Sequence, residues 1–265
     1  MAARIRRIRV TRSFIPNMFT VMNLFGGFIA IARISEGQFL AAAGFIMLSA
    51  VFDVLDGAVA RLTKSTGDFG AELDSLCDAV SFGVAPAFMV YKAHFWQSGE
   101  IGLVIASLPA IAGVLRLARF NVQTNPNATD KRYFRGMPIP AGALTVISYV
   151  LFYHLTTTPN AVVFIPDAWK PLCITFVTVL TAVVMVSTIR YDAMPIPTSK
   201  VIRERPLLIA FFMIGLIAGL VSKGAWVFPF MLLYISIGAV RGLVNVVRAS
   251  MEDDENDGED EADEL

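Results

Sequence analysis

Cysteine and histidine are nearly missing, at two of each in 265 residues. Cys77 and Cys173 sit in or beside apolar stretches without ligand spacing, so neither a disulfide nor a thiolate metal site is expected and both read as packing residues. His94 and His154 fall far from the acidic residues and read as interfacial. Charge is scarce as well: 17% of residues are charged and 55% hydrophobic, whereas soluble domains carry about a quarter charged residues. That excludes an ordinary water-soluble domain. Basic runs interleaved with aromatics are lacking, which removes nucleic acid as a partner. After the basic start MAARIRRIRVTRSF no small-residue cleavage pattern follows, so this segment is expected to be retained.

What the chain does have is an uneven distribution of charge. Ten of its 22 acidic residues lie between Glu252 and Glu264, leaving a basic body. The final stretch EDDENDGEDEADEL holds no aromatic and one large aliphatic residue, too little to offset ordering entropy, and reads as a solvated, disordered tail. Three parts follow: a basic segment over 1–14, a membrane domain over 15–250 and the acidic tail over 251–265.

Apolar runs long enough to cross about 30 Å of hydrocarbon recur eight times, near Ile15 to Ile34, Gln38 to Arg61, Asp78 to Trp96, Ile101 to Arg119, Pro140 to Thr157, Pro171 to Ile189, Leu207 to Val221 and Trp226 to Val247. The fold class is therefore an all-α polytopic membrane bundle. Arg4, Arg6, Arg7, Arg9 and Arg12 precede the first span, and Arg61, Lys64, Lys131, Arg132, Arg135, Lys200, Arg203 and Arg205 fill the even-to-odd connections. The opposite connections hold little beyond Lys92, Lys170 and Lys223. The positive-inside rule then predicts cytoplasmic termini, with the basic loops on the same side of a cell membrane. Arg33, near the outer surface, reads as a snorkelling side chain.

The most informative stretch is FDVLDGAVARLTKSTGDFGAELDSLCDAVSFG, where Asp53 and Asp56 close the second span and Asp74 and Asp78 open the third. Spacings of three and four put each pair on one helical face, and an antiparallel hairpin lets the two faces meet. A charge within a span costs at least about 2.5 to 3.5 kcal/mol, so clustered acids need compensation. Acid-only oxygen clusters suit hard divalent cations. Two such ions would neutralise four carboxylates, a recurring arrangement for phosphoryl displacement. Gly57 and Ala60 leave room for a ligand or helix to approach, and Arg61 offers a guanidinium to phosphate.

Asp53, Asp56, Gly57, Ala60, Arg61, Gly70, Asp74 and Asp78 together reproduce, without a gap, the signature D-x2-D-G-x2-A-R-x8-G-x3-D-x3-D. On those residues the chain resembles the CDP-alcohol phosphotransferases. The resemblance implies that Asp53, Asp56, Asp74 and Asp78 ligate two Mg2+ or Mn2+ ions and that Asp78 also serves as general base. It further implies that Gly57, Ala60, Arg61 and Gly70 surround the CDP portion of a CDP-lipid. The first span opens IPNMFTVMNLFGG, whose Asn17 and Thr20 resemble the family's P-N-x-x-T opening and join the CDP-lipid residues.

The signature leaves the accepting alcohol open. Asn23 before Gly26 and Gly27, and RFN followed by F-x-G-x-P-x-P between Arg119 and Pro140, resemble the bacterial and archaeal phosphatidylserine synthase branch. That implies CDP-diacylglycerol and L-serine as substrates, and the family resemblance adds a homodimer. Serine's carboxylate calls for a planar cation, which Arg116, Arg119 or Arg135 would supply; Asn121 is grouped with them. The same chemistry on another alcohol, or from a CDP-archaeol lipid, is the alternative within the family. A cation transporter is the rival of another class, but it expects acids spread over several spans near the midplane.

Overall fold

The computed structural model describes residues 14–63, 68–123, 134–155, 165–191, 206–242 and 244. The arginines Arg4 to Arg12, Lys64, residues 124–133, Lys200 with its neighbouring basic residues, and the acidic tail lie outside these. The chain forms two compact units, Met1–Asn125 and Pro126–Leu265.

In the first unit, α1 (Phe14–Ser35) and α2 (Phe39–Thr63) are joined by a tight turn. The N–H of Gly37 donates to the Ile34 carbonyl at 3.0 Å and that of Gln38 to the Arg33 carbonyl at 2.8 Å. This cap requires a left-handed residue, which Gly37 supplies at φ 76°. Arg33 pairs with Glu36 at 2.9 Å on the exposed rim of the turn. The next span is a single apolar segment, Phe69–Ala93, built from α3 (Asp68–Asp78), a π-helical turn (Ala79–Val84) and α4 (Ala85–Ala93). Pro86 in the first turn of α4 accounts for the wide turn, because its ring opposes the carbonyl four residues back in regular α geometry. A 3-10 turn (Phe95–Ser98) leads into α5 (Gly99–Gln123).

The third span was expected to open at Asp78; the helix instead begins at Asp68. The acids and small residues of DFGAELDS lower its hydropathy, and what holds it is contact with α1 rather than apolar sequence. α1 lies against α2, α3, the π-helical turn and α4. Phe69–Ala93 is also the most enclosed span, with 56% of its apolar window buried against 28–39% for the other three.

In the second unit, β1 (Phe134–Arg135) pairs antiparallel with β2 (Arg190–Tyr191). Gly136, at φ 79°, follows β1 and sends its N–H to the Ile189 carbonyl at 2.8 Å. A side chain there would meet the Met185 carbonyl. The helices are α6 (Ile139–Tyr149) with a π-helical turn (Val150–His154), α7 (Lys170–Val186), α8 (Pro206–Val221) and α9 (Val227–Gly242). Tyr149 and Tyr153 each set their rings 5.0 Å from Phe228. His154, expected at the interface, is buried with its ring 6.2 Å from that of Tyr149.

Four helical segments, all in the first unit, are long and apolar enough to cross a membrane; the apolar helices of the second unit are shorter, at 10–17 residues among those described. The outward faces of the long helices carry exposed large apolar side chains such as Phe28, Leu40 and Val104, as lipid contact requires. The chain is a helical membrane protein, with apolar helices at all eight expected places.

Candidate active site

α2 presents Asp53 and Asp56 on one face, α3 presents Asp74 and Asp78 on one face, and α1 crosses beside both. The site therefore lies within the first unit. One carboxylate oxygen from each of Asp53, Asp56 and Asp74 lies within 4.8 Å of the others. Asp56 is buried, and Asp53 and Asp74 are half-buried.

Three carboxylates this close repel one another unless positive charge intervenes. Arg61 is near enough to attract Asp56, but its side chain is exposed. Asp56 Oδ2 and Asp74 Oδ1 are buried and have no hydrogen-bond partner among the described residues. Orphaned buried oxygens on two members of an all-carboxylate cluster fit a hard divalent cation. The donor set present thus fits the metal that the sequence implies.

Asp78 is also buried, one turn after Asp74 on α3. Its Oδ1 accepts a hydrogen bond from Asn23 Nδ2 of α1 at 3.0 Å. Thr20, one turn before Asn23, brings its hydroxyl within reach of Asp56 while donating to the Pro16 carbonyl at 3.2 Å.

A Cβ added to Gly57 would stand 3.5 Å from Arg61 Nη1, and one on Gly70 would stand 3.6 Å from Asn17 Oδ1, both ordinary contacts. Crowding within the protein therefore does not require glycine at either position. The backbone there is left open to a close-lying ligand. Asn17, Thr20, Gly57, Arg61 and Gly70 all lie around the acids, and half-buried Ala60 is one residue before Arg61 on α2.

On α5, Arg116 is buried and Arg119 half-buried. Asn121 is bound to α3: its Nδ2 lies 3.1 Å from Ser75 Oγ and 3.3 Å from Glu72 Oε2. Arg135 belongs to the second unit, where its backbone pairs with Arg190. Sequence reasoning took Asn23 as a marker of the branch and missed its link to Asp78. The available signal was Ser49 and Ser81, isolated hydroxyls in apolar runs; both donate to the Asn23 carbonyl at 2.9 Å.

Residues 13–170 match the family model described as CDP-alcohol phosphatidyltransferase. The chain is 37% identical over 236 residues to a CDP-diacylglycerol–serine O-phosphatidyltransferase of Helicobacter pylori, covering 88% of this chain and 92% of that protein. A protein of the same name from Methanocaldococcus jannaschii is 31% identical over 234 residues, covering 88% and 94%. An archaetidylserine synthase of Methanothermobacter thermautotrophicus is 33% identical over 179 residues, covering 67% and 69%.

Proposed function

The chain belongs to the CDP-alcohol phosphatidyltransferase family, and on that premise we propose that it transfers the phosphatidyl group of CDP-diacylglycerol to L-serine, giving phosphatidylserine and CMP. The observation that carries this reading is the convergence of Asp53, Asp56 and Asp74 beside a fourth acid, Asp78, held by its own hydrogen bond. It is supported by relatives bearing the serine transferase name along nearly their whole length.

Asp53, Asp56 and Asp74, with Asp78 at the edge, would hold two Mg2+ or Mn2+ ions, which when bound supply positive charge to the pyrophosphate and to the departing nucleotide. Asn17, Thr20, Gly57, Ala60, Arg61 and Gly70 bind the CDP portion. The open backbone at the two glycines admits the nucleotide closely, and Arg61 pairs with phosphate. Asp78 takes the proton from the serine hydroxyl as its oxygen bonds to the lipid-side phosphorus; the bond from that phosphorus to the bridging oxygen breaks and CMP leaves. A single displacement suffices, without a covalent enzyme intermediate. Arg116 and Arg119 receive the serine carboxylate on the α5 side.

The Lys and Arg asymmetry supports a site open to the cytoplasm in the cell's inner membrane. Family resemblance adds a homodimer, which cross-linking in native membranes tests. The archaetidylserine synthase relative favours a second reading of the donor alone, with serine taken from a CDP-archaeol lipid. Incubating the purified protein with CDP-diacylglycerol or CDP-archaeol and a panel of serine, glycerol 3-phosphate, inositol phosphate and ethanolamine tests both readings. Phosphatidylserine should be the dominant lipid product; a product from another alcohol, with serine unused, would overturn the assignment.

A further inference from the structure

Asn23 is fully buried in the middle of α1, yet its amide does not serve α1. Its Nδ2 donates to Asp78 Oδ1 at 3.0 Å across 55 residues of sequence. Its Oδ1 is buried and without a hydrogen-bond partner among the described residues. Leaving a buried acceptor unpaired is costly, so the orientation of this amide is decided by Asp78. Rotating the amide would turn its oxygen toward a carboxylate oxygen, and the two would repel.

The backbone of the same residue is held equally firmly. The Asn23 carbonyl accepts the hydroxyl of Ser49 from α2 and that of Ser81 from the π-helical turn, each at 2.9 Å. Gly26 and Gly27 permit this approach, since a side chain at Gly26 would strike Ser49 and one at Gly27 would strike Ser81. Asn23 is thus locked to three elements: α2, which carries Asp53 and Asp56; the π-helical turn directly after Asp78; and Asp78 itself.

We propose that Asn23 is the positioning residue for Asp78, engaging Oδ1 through its amide so that Oδ2 stays directed at the hydroxyl of the arriving acceptor. This rests on the reading of Asp78 as the base. It adds a residue outside the eight-position signature, and it gives the two serines and two glycines a purpose in one node. The amide contributes to the rate by restricting the carboxylate, and it makes no contact with the CDP-lipid.

The test is a double-mutant cycle on purified protein in mixed micelles, with Asn23→Leu, Asp78→Asn and the pair, measuring kcat, both KM values and direct CDP-diacylglycerol binding. Leucine keeps the volume and removes the donor; Asn23→Ser, smaller and polar, is the second variant should leucine impair insertion. Asn23→Leu or Asn23→Ser should lower kcat about ten- to a hundredfold, as loss of a hydrogen bond to a charged group does, with CDP-diacylglycerol KM and binding within about twofold of the parent protein. In the Asp78→Asn background the same change should have almost no further effect on kcat. A full additional loss in that background, or a parallel loss of CDP-diacylglycerol binding, would show a structural role and overturn the inference. Retained turnover in Asn23→Ser with a crippled Asp78→Asn overturns it while leaving the base in place. Near-normal turnover in Asp78→Asn alone removes the base reading and this inference with it.

Discussion

Asn121 on α5 reaches across to Ser75 on α3, with Nδ2 3.1 Å from the serine Oγ, so that α5 grips α3 at the residue directly after Asp74. Asn121 joined the acceptor arginines as part of the R-F-N pattern that resembles the phosphatidylserine synthase branch. In the folded chain its amide is occupied by Ser75 and Glu72. Asn121→Ala should cost about 1 kcal/mol of stability, the net worth of an ordinary hydrogen bond, seen as a lower thermal midpoint in detergent. Serine KM should stay within about twofold of the parent; a tenfold rise would return Asn121 to the acceptor pocket.

Neutralising Asp56 alters a buried carboxylate whose Oδ2 has no hydrogen-bond partner among the described residues. Asp56→Asn should insert and fold, since it relieves repulsion, yet lose most activity. Chelation of the parent protein should abolish turnover, and adding Mn2+ should raise the thermal midpoint of the parent but not of Asp56→Asn. Full activity in excess chelator would remove the metal from the account.

Close approach of α1 to the π-helical turn predicts a cost for a single methyl group. A Cβ on Gly27 would come within 2.8 Å of the Ser81 Cα and 3.0 Å of its Cβ, and backbone cannot yield as a flexible side chain can. Gly27→Ala should therefore destabilise by about 1–3 kcal/mol. Gly57→Ala, facing only an ordinary 3.5 Å contact with Arg61, should leave the thermal midpoint unchanged while raising CDP-diacylglycerol KM. Equal stability losses at the two positions would contradict this division.

Recognition of the serine carboxylate by α5 is tested at Arg119, which is half-buried. Arg119→Gln should raise serine KM at least about tenfold, the scale of a charge-assisted hydrogen bond, with little change in CDP-diacylglycerol KM. Ethanolamine, which lacks the carboxylate, should be a poor acceptor for the parent protein. Comparable use of serine and ethanolamine would move carboxylate recognition away from this site.

Much of this was legible in sequence because both the spans and the acids follow short-range periodicities. Spacings of three and four place Asp53 with Asp56 and Asp74 with Asp78 on shared faces of any helix that carries them, and the first two spans end within a few residues of their expected limits. The start of the third span was misplaced because α3 is stabilised by its contact with α1, which hydropathy along the chain does not register. Asn23 with Asp78, and Asn121 with Ser75, are pairings across 55 and 46 residues. They depend on which helix faces cross, which no local periodicity records.

The central claim is that a serine hydroxyl oxygen, deprotonated at Asp78, bonds to the lipid-side phosphorus of CDP-diacylglycerol and expels CMP. Supplying serine labelled with 18O in its hydroxyl group and weighing both products by mass spectrometry tests substrate, bond and leaving group together. Phosphatidylserine should carry the label in full, with unlabelled CMP formed in equal amount. Unlabelled lipid product, or label in CMP, would contradict it.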